Sequence, residues 1–392
     1  MLTTTADRYW GESNPFTELT AETLQYLDLP QSVYDMTYFA KNVELEFDVT
    51  NGGGNAPNSP WVLVGGSYPG ALAAWTSIID PDVFWAYHAS SAVVEAIYDF
   101  YPYFEAVERA IPRNCSNDLR AVATYIDEVF EKGNKQDIYD LQAMFGLELL
   151  DHADDFAAAI AAPLWSWQSK EETVFEFCDQ IEGDGYSTGS KGVGVDAALK
   201  AYAAWINETT GASCHQYDCS TYNTNIKWND PTDIEGDRQW NWMLCHNPFS
   251  WWQVGPPKND GQHLVSAQLR PDHFQRQCAL MFPETNGFVA GSDKGWTADH
   301  LNLYTGGWDA DFTRVMFVNG EFDPWIEATV GSRHRPGGPR VTSEQTPIFT
   351  IKNGNHVPEL ILDDVPEETS VLPYQLAVMK KWLDEWKAPS KN

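Results

Sequence analysis

An α/β protein built on a parallel sheet is the architecture this sequence predicts, on three observations. First, Trp61-Val-Leu-Val-Gly-Gly-Ser67-Tyr-Pro-Gly70 runs from an apolar stretch through glycines into the helix-compatible Ala71-Leu-Ala-Ala-Trp75. That is strand, sharp turn and helix with Ser67 at the apex. Second, Val83-Phe-Trp-Ala-Tyr-His-Ala89 follows as another strand-like run, so strand and helix alternate. Third, Arg314-Val-Met-Phe-Val318 and Thr346-Pro-Ile-Phe-Thr-Ile351 are buried-strand runs late in the chain. Each ends in a polar segment, Asn319-Gly-Glu-Phe-Asp323-Pro-Trp325 and Asn353-Gly-Asn-His356.

Taken in order, Asp7-Arg-Tyr-Trp-Gly-Glu-Ser13 leads through a loop to a helix in which Pro30 suits the first turn. Val33, Met36, Ala40 and Val43 follow at helical spacing. Asn51-Gly-Gly-Gly-Asn-Ala-Pro-Asn58 reads as a flexible connection into the serine strand. The helix after Ser67 should stop near Asp80-Pro81. From about residue 99 the pattern turns helical: Leu119, Val122, Ile126 and Val129 share a face, and 137–163, 171–182 and 195–206 are further helical stretches. A tryptophan-rich segment with Trp240, Trp242, Trp251 and Trp252 closes this region. At the C-terminus Leu372, Leu376, Met379, Leu383 and Trp386 fall on one helical face, expected to cover one side of the sheet. The expected organisation is a core of residues 1–98 and 286–392, interrupted by a mainly helical lid at 99–285.

Composition narrows the class of function. With 25 basic against 56 acidic residues the formal net charge is −31, which repels nucleic acid and anionic membrane surfaces. No apolar stretch is long enough to read as a membrane-spanning helix. The six cysteines, Cys115, Cys178, Cys214, Cys219, Cys245 and Cys278, lack zinc-type Cys-x-x-Cys spacing and are disulfide candidates. Glycosylation sequons at Asn114 and Asn207 agree with an oxidising, secretory route. Met1-Leu-Thr-Thr-Thr-Ala-Asp-Arg shows no basic start with an apolar core, so no signal peptide is read there.

Ser67, Asp323 and His356 each stand just beyond a strand's carboxyl end, where parallel-sheet sites lie, and in the α/β-hydrolase order of nucleophile, acid and base. A serine hydroxyl is a poor nucleophile, so His356 would take its proton and return it to the leaving group. Asp323 would fix the imidazole tautomer and stabilise its cation. The backbone N–H of Tyr68 would be one oxyanion donor, and a second normally comes from the loop after an earlier strand. Acyl transfer of this kind calls for no metal and no cofactor.

Gly65-Gly-Ser-Tyr-Pro-Gly70, Asp7-Arg-Tyr-Trp-Gly-Glu-Ser13, Asn319-Gly-Glu-Phe-Asp-Pro-Trp325 and Gly354-Asn-His356 together resemble the serine peptidase family of prolyl carboxypeptidase, dipeptidyl peptidase II and the fungal acid prolyl endopeptidases. The fungal branch is the nearest in flavour, through Ala86-Tyr-His-Ala-Ser-Ser91, Trp240-Asn-Trp-Met-Leu-Cys245 and Thr305-Gly-Gly-Trp308. The resemblance implies an α/β-hydrolase core with a helical cap and hydrolysis of proline-containing peptides or proteins on the carboxyl side of proline. It also implies acidic surroundings and secretion or delivery to a vacuole- or lysosome-like compartment. It assigns Ser67, Asp323 and His356 to the triad and Trp325 to the proline pocket.

Three departures stand beside it. Pro69 occupies a position usually held by glycine or serine, and its ring is expected to intrude where helix and strand approach. Asn247 replaces a usual glutamate. Family members carry a leader and several strands before the Arg-Tyr-x-Gly segment, so an incomplete front is expected. The rival is a shortened protein with an open sheet edge and half an oxyanion hole, which should fold poorly. Two other functions remain as alternatives: an impaired hydrolase-fold binding protein or fragment, and an esterase on the same scaffold.

Overall fold

Four strands, β1 Val62–Gly66, β2 Ala86–Ser90, β3 Val315–Gly320 and β4 Ile348–Ile351, form a parallel sheet in the order β1-β2-β3-β4. The computed structural model describes residues 7–46, 48–50, 52–169, 171–183, 189–217, 219–222, 230–232, 237–258, 261, 263–361 and 371–388. Of residues 1–8, on which the signal-peptide expectation rests, residues 1–6 lie outside the described residues. In chain order the helices are α1 Leu29–Asn42, α2 Tyr68–Ile79, α3 Pro102–Ala110, α4 Arg113–Lys132, α5 Lys135–Met144, α6 Ala153–Trp165 and α7 Glu171–Glu182. They continue with α8 Val195–Ile206, α9 Ala212–Tyr217, α10 Asp237–His246, α11 Pro271–Met281, α12 Ala298–Thr305 and α13 Leu372–Glu385. Among the described residues no helix is long and apolar enough to cross a membrane.

The chain divides into two compact units. One comprises Met1–Ile97, Pro231–Ser250 and Phe282–Asn392; the other comprises Tyr98–Asp230 and Trp251–Met281. The first holds the whole sheet. Its β3 is buried along its entire length, as the run Val-Met-Phe-Val requires of a central parallel strand. Helix α2 packs on β1 and β2 with Ala71, Leu72, Ala73, Ala74 and Trp75 all buried, and α1 lies against α2. Asp28 caps α1 by accepting the Gln31 N–H at 2.8 Å, and Pro30 lies in the first turn.

Two expectations are corrected within this unit. Residues 231–250 belong with the sheet and not with the helical region, because α10 bonds to the N-terminal segment. Arg238 Nε donates to the Leu19 carbonyl at 2.7 Å, Gln239 Nε2 to the Tyr9 carbonyl at 3.0 Å, and Trp242 Nε1 to the Leu27 carbonyl at 3.1 Å. Residues 282–285 fall in the sheet unit too. The second correction concerns α13. Leu372, Leu376 and Leu383 are exposed, whereas Gln375 and Trp382 are buried and Val378 and Met379 pack beside Ala86 and Met316. The face turned to the sheet runs through Gln375, Val378 and Trp382, a quarter-turn or so from the leucine face, because one tryptophan fills the space under Ala86.

The second unit is helical. Leu119, Val122, Ala123, Ile126 and Val129 form the buried face of α4, and α7 and α8 occupy the expected stretches 171–182 and 195–206. The expected single stretch 137–163 is broken between α5 and α6, where Gly146 adopts a positive φ of 68°. Within this unit Cys115 bridges to Cys178 and Cys214 to Cys219, and Cys278 is disulfide-bonded; Cys245, which belongs to the sheet unit, is disulfide-bonded as well.

Candidate active site

The elbow after β1 is strained where the sequence puts its serine. Ser67 has φ 63° and ψ −129°, a region costly for a residue with a side chain, by roughly 1–3 kcal/mol. Two contacts hold it there. The Ser67 N–H donates to the Ser90 carbonyl at the end of β2, at 2.9 Å. Gly65 supplies the room, since a Cβ on it would stand 2.0 Å from the Pro69 carbonyl oxygen. Pro69 is exposed at the second position of α2, and the helix starts at Tyr68 regardless, so its ring does not intrude as expected. The Tyr68 N–H belongs to the first helical turn, whose amides lack intrahelical acceptors and point toward incoming negative charge. The Tyr68 ring is buried edge-on to Trp240 at 5.7 Å and tilted against Phe249 at 5.5 Å. Burial pushes its phenol well above the ordinary value, and the nearby Asp7 carboxylate adds to this.

The loops after β3 and β4 meet. The Glu321 N–H donates to the Ile351 carbonyl at 3.0 Å and the Phe322 N–H to the Gly354 carbonyl at 2.9 Å. That junction places Asp323 and His356 together, with Asp323 Oδ1 2.9 Å from His356 Nδ1. The same oxygen accepts the Trp325 N–H at 2.9 Å, so the acid is oriented from two sides. Asp323 is fully buried and His356 is 7% exposed. His356 Nε2, across the ring from the acid, is buried without a hydrogen-bond partner among the described residues, so Ser67 Oγ does not bond to it in this structure. Catalytic hydrogen bonds are commonly long before substrate binds. The loop after His356 nevertheless abuts the elbow: a Cβ on Gly66 would stand 2.9 Å from Val357 Cγ1 and 2.8 Å from Leu360 Cδ1. The Trp325 indole lies 6.4 Å from the His356 ring, centroid to centroid, and is only half-buried.

The other predicted positions are scattered. Asn114 is half-buried near the start of α4 and donates to Glu182 Oε2 at 2.9 Å, whereas Asn207 is exposed just after α8. Asn247 Oδ1 accepts the Leu29 N–H at 2.9 Å, tying α10 to the start of α1. Three groups in the helical unit, Asp154, Asp155 and His273, gather as metal ligands might. Protein groups already take up their oxygens: Arg276 Nη2 lies 2.5 Å from Asp154 Oδ2 and 4.0 Å from Asp155 Oδ1, and His273 Nδ1 lies 3.1 Å from Asp155 Oδ1.

Sequence reasoning missed three supporting residues, Ser91, His88 and Glu359. Ser91 Oγ accepts the Val357 N–H at 2.9 Å, and His88 Nε2 lies 3.0 Å from Glu359 Oε1. The only available signal was a histidine inside an otherwise apolar strand. Beyond β2, Glu95 accepts the Trp308 N–H at 2.7 Å and the Asn302 amide at 2.8 Å. Burial pushes its carboxyl up to about 7, with the Trp308 bond opposing and Asp309 and Asp299 adding.

Residues 1–341 match the family model described as serine carboxypeptidase S28. The serine protease vicPb of Bipolaris victoriae (strain FI3) is 33% identical over 98% of this chain and 76% of its own length. The serine protease vicPa of the same fungus is 35% identical over 89% of this chain and 69% of its own. A probable extracellular serine carboxypeptidase of Arthroderma benhamiae is 27% identical, over 89% of this chain and 51% of its own length.

Proposed function

Because this chain belongs to the serine carboxypeptidase S28 family, an α/β-hydrolase family, we propose that it hydrolyses peptide bonds on the carboxyl side of proline through an acyl-enzyme on Ser67. Membership makes it a serine-type peptidase; the bond it selects and the residues that cut it are the proposal. The observation that carries the reading is the buried Asp323–His356 pair, whose loop abuts the strained Ser67 elbow.

Ser67 Oγ attacks the scissile carbonyl carbon while His356 Nε2 takes its proton. Asp323 stabilises the imidazolium through Nδ1, and the Tyr68 N–H faces the oxyanion that forms. Collapse of the tetrahedral intermediate expels the amine, which leaves with the proton from His356. Water, deprotonated by the same nitrogen, then releases the acyl group from Ser67. Trp325 flanks His356 and offers a flat apolar face suited to a pyrrolidine ring. Secretion, supported by the probable extracellular relative and by disulfide-bonded cysteines, and an acidic working environment, which rests on the family resemblance alone, complete the reading. Asn207, being exposed, is the better glycan acceptor of the two sequons.

The test is hydrolysis of a chromogenic peptide with proline before the scissile bond, at mildly acidic pH, beside the alanine counterpart of that peptide and a simple ester. Cleavage of the prolyl peptide that Ser67→Ala abolishes supports the proposal. Cleavage of the ester alone makes the protein an esterase, and a folded protein inert to all three makes it a binding protein.

A further inference from the structure

Strand β2 carries none of the three proposed catalytic residues, yet its residues hold both loops that bear the nucleophile and the base. Its last carbonyl, at Ser90, fixes the Ser67 N–H. The next residue, Ser91, fixes the Val357 N–H through its hydroxyl. In the middle of the strand His88 reaches Glu359, three residues beyond His356. The last contact is unusual for its surroundings. His88 pairs in register with Val64 and Met316, on the face of the sheet that also presents Ala86 to Trp382.

Both partners are largely out of water, with side chains 13% and 7% exposed. Glu359 Oε2 is buried and has no hydrogen-bond partner among the described residues. The carboxyl group is therefore held at this depth by His88, and without it the favourable place for Glu359 is in solvent. Movement of Glu359 would pull on the turn Pro358–Leu360 and, through it, on Val357. Val357 already has φ 51° and ψ 44°, a genuine outlier for a β-branched residue, which persists only while its neighbours hold it. His356 is the residue immediately before it.

We propose that the His88–Glu359 pair is a positioning device. It anchors the turn after His356 to the sheet, so that the imidazole Nε2 is presented to a serine held by the same strand. The proposal rests on the triad reading above. His88 and Glu359 touch no substrate; they act through the base loop.

The full chain serves for the test, in His88→Leu, His88→Gln and Glu359→Gln forms, with Ser67→Ala as the control for the triad. On a prolyl reporter peptide His88→Leu should lower kcat about 10- to 100-fold, as a misplaced catalytic group does, with KM within about twofold. His88→Gln, whose Nε2 can still donate to Glu359, should recover to within about threefold of the parent kcat. Amide exchange at Val357 should rise about tenfold or more in His88→Leu and stay near the parent rate in His88→Gln. A folded His88→Leu with parent kcat and parent exchange at Val357 overturns the device. So does a His88→Gln as slow and as fast-exchanging as His88→Leu. If Ser67→Ala leaves turnover intact the triad reading fails instead, and the exchange rates alone then decide whether the pair holds the turn.

Discussion

The sheet unit and the helical unit are built from interrupted stretches of one chain, but they are held together in different ways. The sheet unit joins segments more than 200 residues apart through single side chains that reach backbone groups, as Arg238, Gln239, Trp242 and Asn247 do to residues 9–29. Trp75 of α2 and Phe249 stack at 5.6 Å, a further join to the same late segment. The helical unit combines repeated apolar faces with buried carboxylates that bind across shorter separations, Asp155 to Thr221 and Asp127 to Ser266 and Ala267. Phe145 packs against Phe156, Phe177 against Tyr202, and Cys115–Cys178 joins α4 to α7. The proposed site, which needs angstrom-level placement of three loops, sits in the unit whose side-chain joins reach across more than 200 residues. The helical unit, whose joins span shorter separations, carries none of the proposed triad.

This contrast can be broken from either side. The largest effect is expected at the site: Asp323→Asn should cost about 10⁴-fold in kcat, because the amide supports the wrong imidazole tautomer, with little change in thermal stability. Trp242→Ala should destabilise the sheet unit by about 3–5 kcal/mol. Hydrogen exchange should then rise across residues 19–29 and leave α7 and α8 protected, whereas a uniform rise would mean that the joint is not local. Removing Cys115–Cys178, which closes a separation of 63 residues, should cost about 4 kcal/mol. Exchange should this time rise in α4 and α7. Removing Cys214–Cys219, with a separation of only 5, should cost about 2 kcal/mol.

The smallest expected effect is pH-dependent. Glu95 has its folded-state pKa raised to about 7 from 4.5, so between these values the folded chain binds more protons than the unfolded one. Its contribution to stability is therefore present in acid and is lost as pH rises through about 7. Asp7, pushed up to about 6 by burial and by Asp35, acts in the same direction, and His246, pushed down to about 4 by burial, opposes both. Glu95→Gln should flatten the fall in Tm between pH 5 and pH 7. An unchanged slope would exclude Glu95 as its source.

What could be read from the sequence follows from how local each signal is. The four strands announce themselves by short apolar runs, and the ends of three of them carry Ser67, Asp323 and His356 within a few residues. Pro30 and Asp80 mark helix ends because capping depends on neighbours in the chain. Leucine spacing points to the wrong face of α13 because it ranks all apolar residues alike, whereas Trp382 with Val378 makes the contact. Residues 231–250 were misplaced because their partners lie more than 200 positions earlier. His88 and Glu359 are 271 positions apart, and only the folded sheet brings them together.

In the proposed mechanism Ser67 is the nucleophile and His356 activates it. Treatment of the folded protein with a fluorophosphonate ester, followed by mass spectrometry of the proteolysed product, tests both parts at once. A single phosphonyl adduct on Ser67 is expected, formed at least 100-fold more slowly in His356→Ala. An adduct on another residue, no adduct on the folded protein, or labelling of Ser67 at an unchanged rate in His356→Ala would contradict it.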